Sequence, residues 1–205
     1  MFAIKLAKLF EEKNSLRALK MTILKDKLDS RHFISEYSIT HNPFKQELEF
    51  KLNCPKPLMK VQVYKGTGYE YYDAILAENG ELLDPTYEVL LRKENKLNFE
   101  LPHLALPVGE MEKHVQKSIA SLVSLMNEDF KRYLSEIVVN ENKEMTMIMS
   151  VNGQASTIFM GDTQWEEKLS KLKKITEYMS EKNRMPAIIN LTNSKKVVVK
   201  FNDKF

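Results

Sequence analysis

The spacing of apolar residues at the start of the chain predicts two amphipathic helices. Apolar side chains recur every three or four residues over residues 2–10 and again over residues 16–28. Asn14 and Ser15 separate the two segments, and serine is a preferred N-cap residue for the helix that follows. We expect this second helix to end near residues 29–30.

Two strand-like segments come next. Residues 34–39 and 46–52 are joined across the turn signal Asn42-Pro43. Strict alternation over the second segment places three apolar side chains on one face, namely Leu48, Phe50 and Leu52. The pattern therefore predicts a β-hairpin after the two helices.

A proline-rich segment, Cys54-Pro55-Lys56-Pro57, follows the hairpin. Proline has no backbone N–H and cannot continue a β-ladder on both sides. We therefore predict a domain joint here, with a first domain at residues 1–56 and a second at residues 57–205.

The second domain has mostly strand-like patterns. Asn-Gly pairs at residues 79–80 and 152–153 predict tight hairpins, because both residues tolerate positive φ. The predicted strands are residues 58–63, 69–76, 97–101 (ended by Pro102), 137–139, 145–151, 156–160 and 195–201, with a turn at residues 84–85. This domain is thus expected to be mostly antiparallel.

Two amphipathic helices interrupt these strands. The first carries the apolar stripe Met111, Val115, Ile119, Leu122 and Met126. The second is expected to begin at a capping box formed by Thr163 and Glu166. Its apolar stripe is Trp165, Leu169, Leu172, Ile175 and Met179, with lysines such as Lys173 on the opposite face. The whole chain is predicted to be α+β.

Composition and charge exclude several functions. A single cysteine, Cys54, excludes an internal disulfide framework and any multi-cysteine zinc site. The net charge is only +3, and the basic surplus lies in residues 1–57, so we expect no nucleic-acid partner. No apolar run approaches the roughly 18 residues that span a bilayer, and residues 1–10 lack the features of a signal peptide.

The sequence offers little for catalysis. The four histidines (His32, His41, His103 and His114) lie at scattered positions, without ligand spacing to a second histidine or a carboxylate. Common nucleophile, metal and phosphate-binding motifs do not occur. We expect no catalytic residue, metal, cofactor or small-molecule substrate. The enzymatic alternative is a hydrolase that uses His103 or His114, for which the sequence supplies no partner residue.

The last predicted strand is the most unusual feature. Alternation turns Lys196, Val198 and Lys200 outward, and turns Val197, Val199 and Phe201 toward the core. A terminal strand is often an edge strand, and lysines are a common protection against unwanted pairing. Alternatively, such an edge receives a strand from a partner protein. The residue pattern leaves both interpretations open.

Several segments, in order, resemble the bacterial cell-division family FtsQ/DivIB. Residues 159–175 resemble the glycine and the K-L-x-x-L helix of that family. Residues 188–191 with 197–201 resemble its final hairpin, and residues 77–82 with 101–104 resemble its G-x-x and L-P-x-L stretch. Further matches to the end of its POTRA domain are residues 35–39, 42–43, 48–52 and Pro57.

The resemblance implies a non-enzymatic scaffold for divisome assembly and septum formation. It implies a POTRA-like domain at residues 1–56, a β-domain at residues 57–205, and an extracytoplasmic location on a single-pass protein of the inner membrane. The implied partners are the small coiled-coil proteins FtsB and FtsL, together with other divisome components. In the family a partner adds a strand to the last β-strand, which assigns partner binding here to Asn190, Asn193, Lys195, Lys196, Val198, Lys200 and Phe201.

The sequence departs from the family at several points. It begins after the family's transmembrane helix and first POTRA strand, so we expect an upstream anchor. Asn193 stands at a position that is often aromatic, and Asn190 stands where an aspartate is expected. A rival within the same class is a POTRA-type docking or chaperone module of a membrane-protein assembly machine, which would carry several POTRA repeats or a barrel.

Overall fold

The protein divides into two compact units at the proline-rich joint. A computed structural model describes residues 2–26, 34, 36–65, 70–83, 100–107, 111–193 and 195–202. Among these residues, the first unit runs to Lys56 and the second begins at Pro57. Prolines at positions 55 and 57 coincide with this change of unit.

The first unit consists of two helices and a two-stranded sheet. Its elements are α1 (Phe2–Lys13), α2 (Leu16–Lys25), β1 (Glu36–Asn42) and β2 (Glu47–Asn53). Ser15 caps α2, since its hydroxyl accepts a 3.3 Å hydrogen bond from the amide of Ala18. The buried core comprises Leu6, Leu19, Ile23, Ile34 and Ile39.

The order of two helices and a hairpin is confirmed, with two differences in detail. Helix α2 ends at Lys25 with Asp26 as its C-cap, earlier than predicted, and residues 29–30 lie outside the described part of the chain. Leu48 and Phe50 pack against the core, whereas Leu52 is 40% exposed. Leu52 is the last residue but one of β2, so it lies at the margin of the packed face.

The second unit is built on one sheet of nine strands within the described residues. The strands are β3 (Pro57–Lys65), β4 (Glu70–Ala77), β5 (Leu82–Leu83), β6 (His103–Ala105), β7 (Leu134–Val139), β8 (Met145–Val151), β9 (Gln154–Gly161), β10 (Ile188–Asn190) and β11 (Val198–Lys200). Their order is β11-β10-β9-β8-β7-β6-β3-β4-β5. Five of the eight neighbouring pairs are antiparallel, so the predicted α+β class with a mostly antiparallel sheet is confirmed.

Three helices accompany this sheet in the described residues, where the pattern predicted two. They are α3 (Lys113–Ser124), α4 (Glu128–Tyr133) and α5 (Trp165–Glu181). The additional helix, α4, has only six residues. Helical periodicity is recognised over windows of about 11 to 18 residues, so a helix this short gives no clear pattern. Asn127 caps it by accepting a 2.9 Å hydrogen bond from the amide of Phe130.

One core unites the helices with one face of the sheet. The apolar stripes of α3 and α5 enter it through Val115, Ile119, Leu122, Leu169 and Leu172, as predicted. Strand β8 contributes its alternate methionines at positions 145, 147 and 149. The opposite face is exposed or half-buried in β6 to β10, whereas Ala74–Ala77 of β4 are buried on both faces.

The Asn-Gly turn at residues 152–153 adopts the predicted geometry, whereas the pair at residues 79–80 has positive φ only at its glycine. Asn152 and Gly153, between β8 and β9, have φ values of 52° and 76°, the pattern of a type I′ turn. Gly80, between β4 and β5, has φ of 80° and donates its amide to the carbonyl of Ala77 at 2.9 Å.

The strand predicted at residues 97–101 is wrong in the part that the structure describes. Neither Glu100 nor Leu101 lies in a strand, and β6 begins after Pro102, at His103. Pro102 therefore precedes a strand, and its carbonyl accepts a 2.9 Å hydrogen bond from Lys60 of β3. Residues 97–99 and the predicted turn at residues 84–85 lie outside the described residues.

The capping box predicted at the start of α5 does not form. The N-cap residue is Gln164, with φ of 56°, and no side chain caps this helix. The N-cap is therefore Gln164, in a left-handed conformation, and not Thr163, so the helix begins one residue later than predicted. The indole nitrogen of Trp165 instead donates a 2.8 Å hydrogen bond to the carbonyl of Gly161.

Among the helices that the structure describes, none has the length and apolar character needed to cross a bilayer.

Candidate functional site

Strand β11 forms one edge of the nine-stranded sheet. It pairs antiparallel with β10, with Ile188 opposite Lys200, Ile189 opposite Val199, and Asn190 opposite Val198. Its other side has no neighbouring strand in the described part of the chain. A strand in this position presents N–H and C=O groups that another strand can pair with.

The register defines which side chains share a face. Val199 is opposite the buried Ile189 and lies on the core side, whereas Val198 and Lys200 lie on the other side, as predicted. The side chains turned toward the core are nevertheless not buried, because Val197 is 44% and Val199 37% exposed. Strands of only three residues bring too little apolar surface together to cover these side chains.

The strand is also shorter than predicted. The pattern indicates a strand at residues 195–201, but the ladder holds only Val198–Lys200. Lys195 lies in a turn, and Lys196 precedes the strand without belonging to the ladder. Both side chains are exposed. Of the three lysines, only Lys200 belongs to the paired strand, and Lys195 and Lys196 come just before it.

The two asparagines of the predicted site shape the connection between β10 and β11. The side-chain oxygen of Asn190 accepts hydrogen bonds from the amide and hydroxyl of Thr192, at 2.9 and 2.7 Å. The side-chain oxygen of Asn193 accepts one from the amide of Lys195 at 2.8 Å. Both oxygens are used by local turns, which is a common role for asparagine.

Phe201 contacts a residue that the sequence pattern did not single out. The guanidinium carbon of Arg184 lies 4.4 Å from the centre of the Phe201 ring, within the range of cation–π contacts. Arg184 lies between α5 and β10, far from Phe201 in sequence, and nothing in the spacing of either residue indicates the pair. The contact connects the end of β11 with the loop between α5 and β10.

The exposed face of the sheet continues from this edge and is partly apolar. Phe159 of β9 is opposite Asn190, which is opposite Val198, so all three lie on the outward face. Ile188 of β10 and Ile148 of β8 lie on the same face and are half-buried. The one sign of this extension in the sequence is Phe159, an apolar residue that alternates with the buried Ile158 and Met160 of its strand.

The second unit also contains a cleft of about 500 Å³ near the start of α5. His114 lines it, and its Nδ1 lies 3.0 Å from a carboxylate oxygen of Glu112, which also accepts from Lys143 at 3.2 Å. The sequence alone indicates no partner for His114. Ser118 lines the same cleft, but its hydroxyl donates to the backbone carbonyl of His114 at 3.0 Å and not to the imidazole.

The other predicted catalytic candidate, His103, is an exposed residue of β6 beside a shallow hollow lined by Gln62, Tyr64 and Glu136. Within the described residues, no group of three or more histidine, cysteine, aspartate and glutamate side chains is arranged to hold a metal ion.

Fold and site together define a two-unit α+β protein with a free edge on its larger sheet. The family described as "Cell division protein FtsQ/DivIB, C-terminal" matches residues 67–192, which is more than half of the chain. The chain therefore belongs to the FtsQ/DivIB family of cell division proteins. This match covers β4 to β10 and ends before β11.

One solved structure similar to this chain is the major extracytoplasmic domain of the cell division protein DivIB from Geobacillus stearothermophilus. The two share 14% sequence identity, and the alignment covers 65% of this chain and 98% of that one, with a TM-score of 0.38. No curated protein matches the chain significantly. The family assignment stands on the match to residues 67–192.

Proposed function

We propose that this protein is a non-enzymatic scaffold of the bacterial division machinery that binds small coiled-coil division proteins of the FtsB and FtsL type through β11. It acts outside the cytoplasm, held at the inner membrane by a single-pass anchor. Membership of the FtsQ/DivIB family supports the division role. The observation that carries the binding site is the position of β11 at the edge of the sheet.

A partner strand would gain backbone hydrogen bonds along this edge. Val198 and Lys200 face outward beside it, and Val198 is 62% exposed, so both can contact the partner's side chains. Lys195 and Lys196 extend the exposed segment toward the preceding turn. In this arrangement the main chain supplies affinity, and the outward side chains supply specificity.

The charge around the edge indicates the character of the partner segment. Lys195, Lys196 and Lys200 are all exposed, and no ion pair is formed by these three in the part of the chain that is described. An acidic partner segment would neutralise them. Because exposed ion pairs are screened by salt, binding should weaken as ionic strength increases.

We assign the two units of the chain to the two domains that the family resemblance implies. Residues 1–56 would be the POTRA-like domain, and residues 57–205 the β-domain that carries the edge. The helix–helix–hairpin order of the first unit supports the POTRA-like assignment. Limited proteolysis should cut first at residues 54–56, between β2 and β3, because residues 57–60 already belong to the buried start of β3. Earlier cleavage inside β8 or β9 would contradict the boundary.

Charge reversal at the edge tests the proposed function. The full chain and its Lys196→Glu/Lys200→Glu variant would be titrated with the FtsB-like protein of the same organism. We expect the variant to bind at least about fivefold more weakly, because two favourable contacts become repulsive. The matched control is Lys113→Glu/Lys174→Glu, which makes the same charge change on exposed helical positions. Equal affinities of the two variants, with normal thermal melting, would contradict the site.

A further inference from the structure

Helix α2 has an outward face that combines apolar and cationic side chains. Leu19 and Ile23 are buried in the first unit, yet Met21 and Leu24 are 60% and 62% exposed. These two residues are three apart and therefore adjacent on the helix surface. They form an apolar patch on the surface of the unit, outside its buried core.

The surroundings of this patch are cationic. Arg17 and Lys25 lie four residues before and after Met21, and Lys20 lies four residues before Leu24, so each is a neighbour on the helix. All three are exposed, and within the described residues none of them has an ion-pair partner. The sequence of α2, LRALKMTILK, contains no acidic residue.

The neighbouring helix continues the same character. α1 packs against α2, and on it Ile4 is exposed together with Lys5 and Lys8. Residues 2–26 hold six lysines and arginines and three acidic residues. The positive charge of this helical pair is therefore a property of its exposed surface.

We propose that the outward face of α2, formed by Arg17, Lys20, Met21, Leu24 and Lys25, binds the surface of anionic phospholipid bilayers. Helices at membrane surfaces insert apolar side chains between lipid headgroups, and their lysines and arginines contact the phosphates. Two exposed apolar residues bordered by three cations match this arrangement.

The same features disfavour a second copy of the chain as the occupant of this face. Two α2 helices packed through Met21 and Leu24 would bring Arg17, Lys20 and Lys25 of both copies together. Like charges at an interface oppose association. The convex surface of a helix also fits a fluid planar surface, which needs no preformed complementary groove.

Vesicle co-sedimentation of the full chain tests this proposal. We expect binding to vesicles of equimolar phosphatidylcholine and phosphatidylglycerol, and little binding to pure phosphatidylcholine. Each basic residue near an anionic surface contributes about fivefold to partitioning, so Arg17→Glu/Lys20→Glu should lower it by roughly 25-fold or more. Met21→Ser/Leu24→Ser, which leaves the charge unchanged, should also weaken binding.

The matched control is again Lys113→Glu/Lys174→Glu, which should bind like the wild type although its net charge is equally reduced. If charge reversal disturbs the fold, as judged by circular dichroism, Arg17→Gln/Lys20→Gln provides the same comparison. Binding lost equally in the control, or no preference for anionic vesicles, would overturn the proposal. So would self-association of the wild type that Met21→Ser/Leu24→Ser abolishes. The assay contains no division protein, so its outcome is independent of partner binding at β11.

Discussion

The ammonium nitrogen of Lys168 donates a 2.7 Å hydrogen bond to the backbone carbonyl of Met160, and Lys168 is only 2% exposed. The pairing of β8 with β9 shifts at this point, since Met145 pairs with Gly161 while Thr146 pairs with Phe159. Met160 is thus the extra residue of a bulge, and its carbonyl is taken off the ladder. A lysine from α5 supplies the missing donor.

Replacing Lys168 by methionine should therefore destabilise the second unit. The variant leaves the carbonyl of Met160 buried without a donor, which should lower the free energy of unfolding by about 1–3 kcal/mol. Chemical denaturation measures this value. Lys174→Met, at an exposed position of the same helix, should change it by no more than about 0.5 kcal/mol. Equal unfolding midpoints for the two variants would show that the hydrogen bond is dispensable.

The apolar stripe of α5 provides a second stability test. Leu172 is fully buried in the core, so Leu172→Ala should lower the free energy of unfolding by about 2–5 kcal/mol. Lys174→Ala is the control, because its side chain is exposed. Lys173, which is predicted to lie on the face opposite the stripe, is unsuitable as the control because its side chain is half-buried. Its ammonium group donates to the carbonyl of Leu125 at 2.9 Å and lies 6.0 Å from the Phe130 ring.

Two glycines with similar backbone conformations differ in the space around them. Both Gly80 and Gly153 have positive φ, so alanine is strained at either position, at a cost of about 1–2 kcal/mol. At Gly80 the added Cβ would also lie 2.6 Å from the Cγ and 2.9 Å from the Cα of Lys117 on α3. At Gly153 nothing lies within 4 Å.

We therefore expect Gly80→Ala to lower the free energy of unfolding more than Gly153→Ala, by at least about 1 kcal/mol, because helix α3 must shift. Thermal or chemical denaturation of the two variants gives the comparison directly. A larger loss for Gly153→Ala would contradict the close approach of the β4–β5 turn to α3.

Local signals explain why much of the fold could be predicted. The Asn-Gly pair at residues 152–153 determines a hairpin whatever surrounds it, because two positive φ values are needed in sequence. Helix α5 is 17 residues long, which is enough for the helical period of its apolar stripe to be clear in the sequence. The helices and hairpin of the first unit carry similar local signals.

Features that depend on distant contacts could not be predicted. β6 has only three residues, and its position between β3 and β7 in parallel pairing is determined by neighbours far away in sequence. Lys168 has the pattern of a solvated lysine, and only the bulge at Met160 makes it a buried donor. At the candidate site, alternation predicted the faces of β11 correctly. Alternation could not predict how exposed Val197 and Val199 are, because that depends on how much of their side chains the neighbouring elements cover.

In the proposed function, the free side of β11 receives a strand from a division partner. Successive residues of a strand direct their N–H groups to opposite sides, so one of the Val198 and Val199 amides bonds to β10 and the other faces outward. Amide hydrogen exchange, measured by nuclear magnetic resonance on the full chain, distinguishes the two.

The decisive measurement is the exchange rate of these two amides with and without a saturating amount of the FtsB-like protein. In the free chain we predict that one amide is protected and the other exchanges like an exposed amide. In the complex the second amide should become protected as well, because the partner's backbone now accepts its hydrogen bond. If that amide still exchanges rapidly in the saturated complex, no strand is added at β11, which would contradict the proposed function.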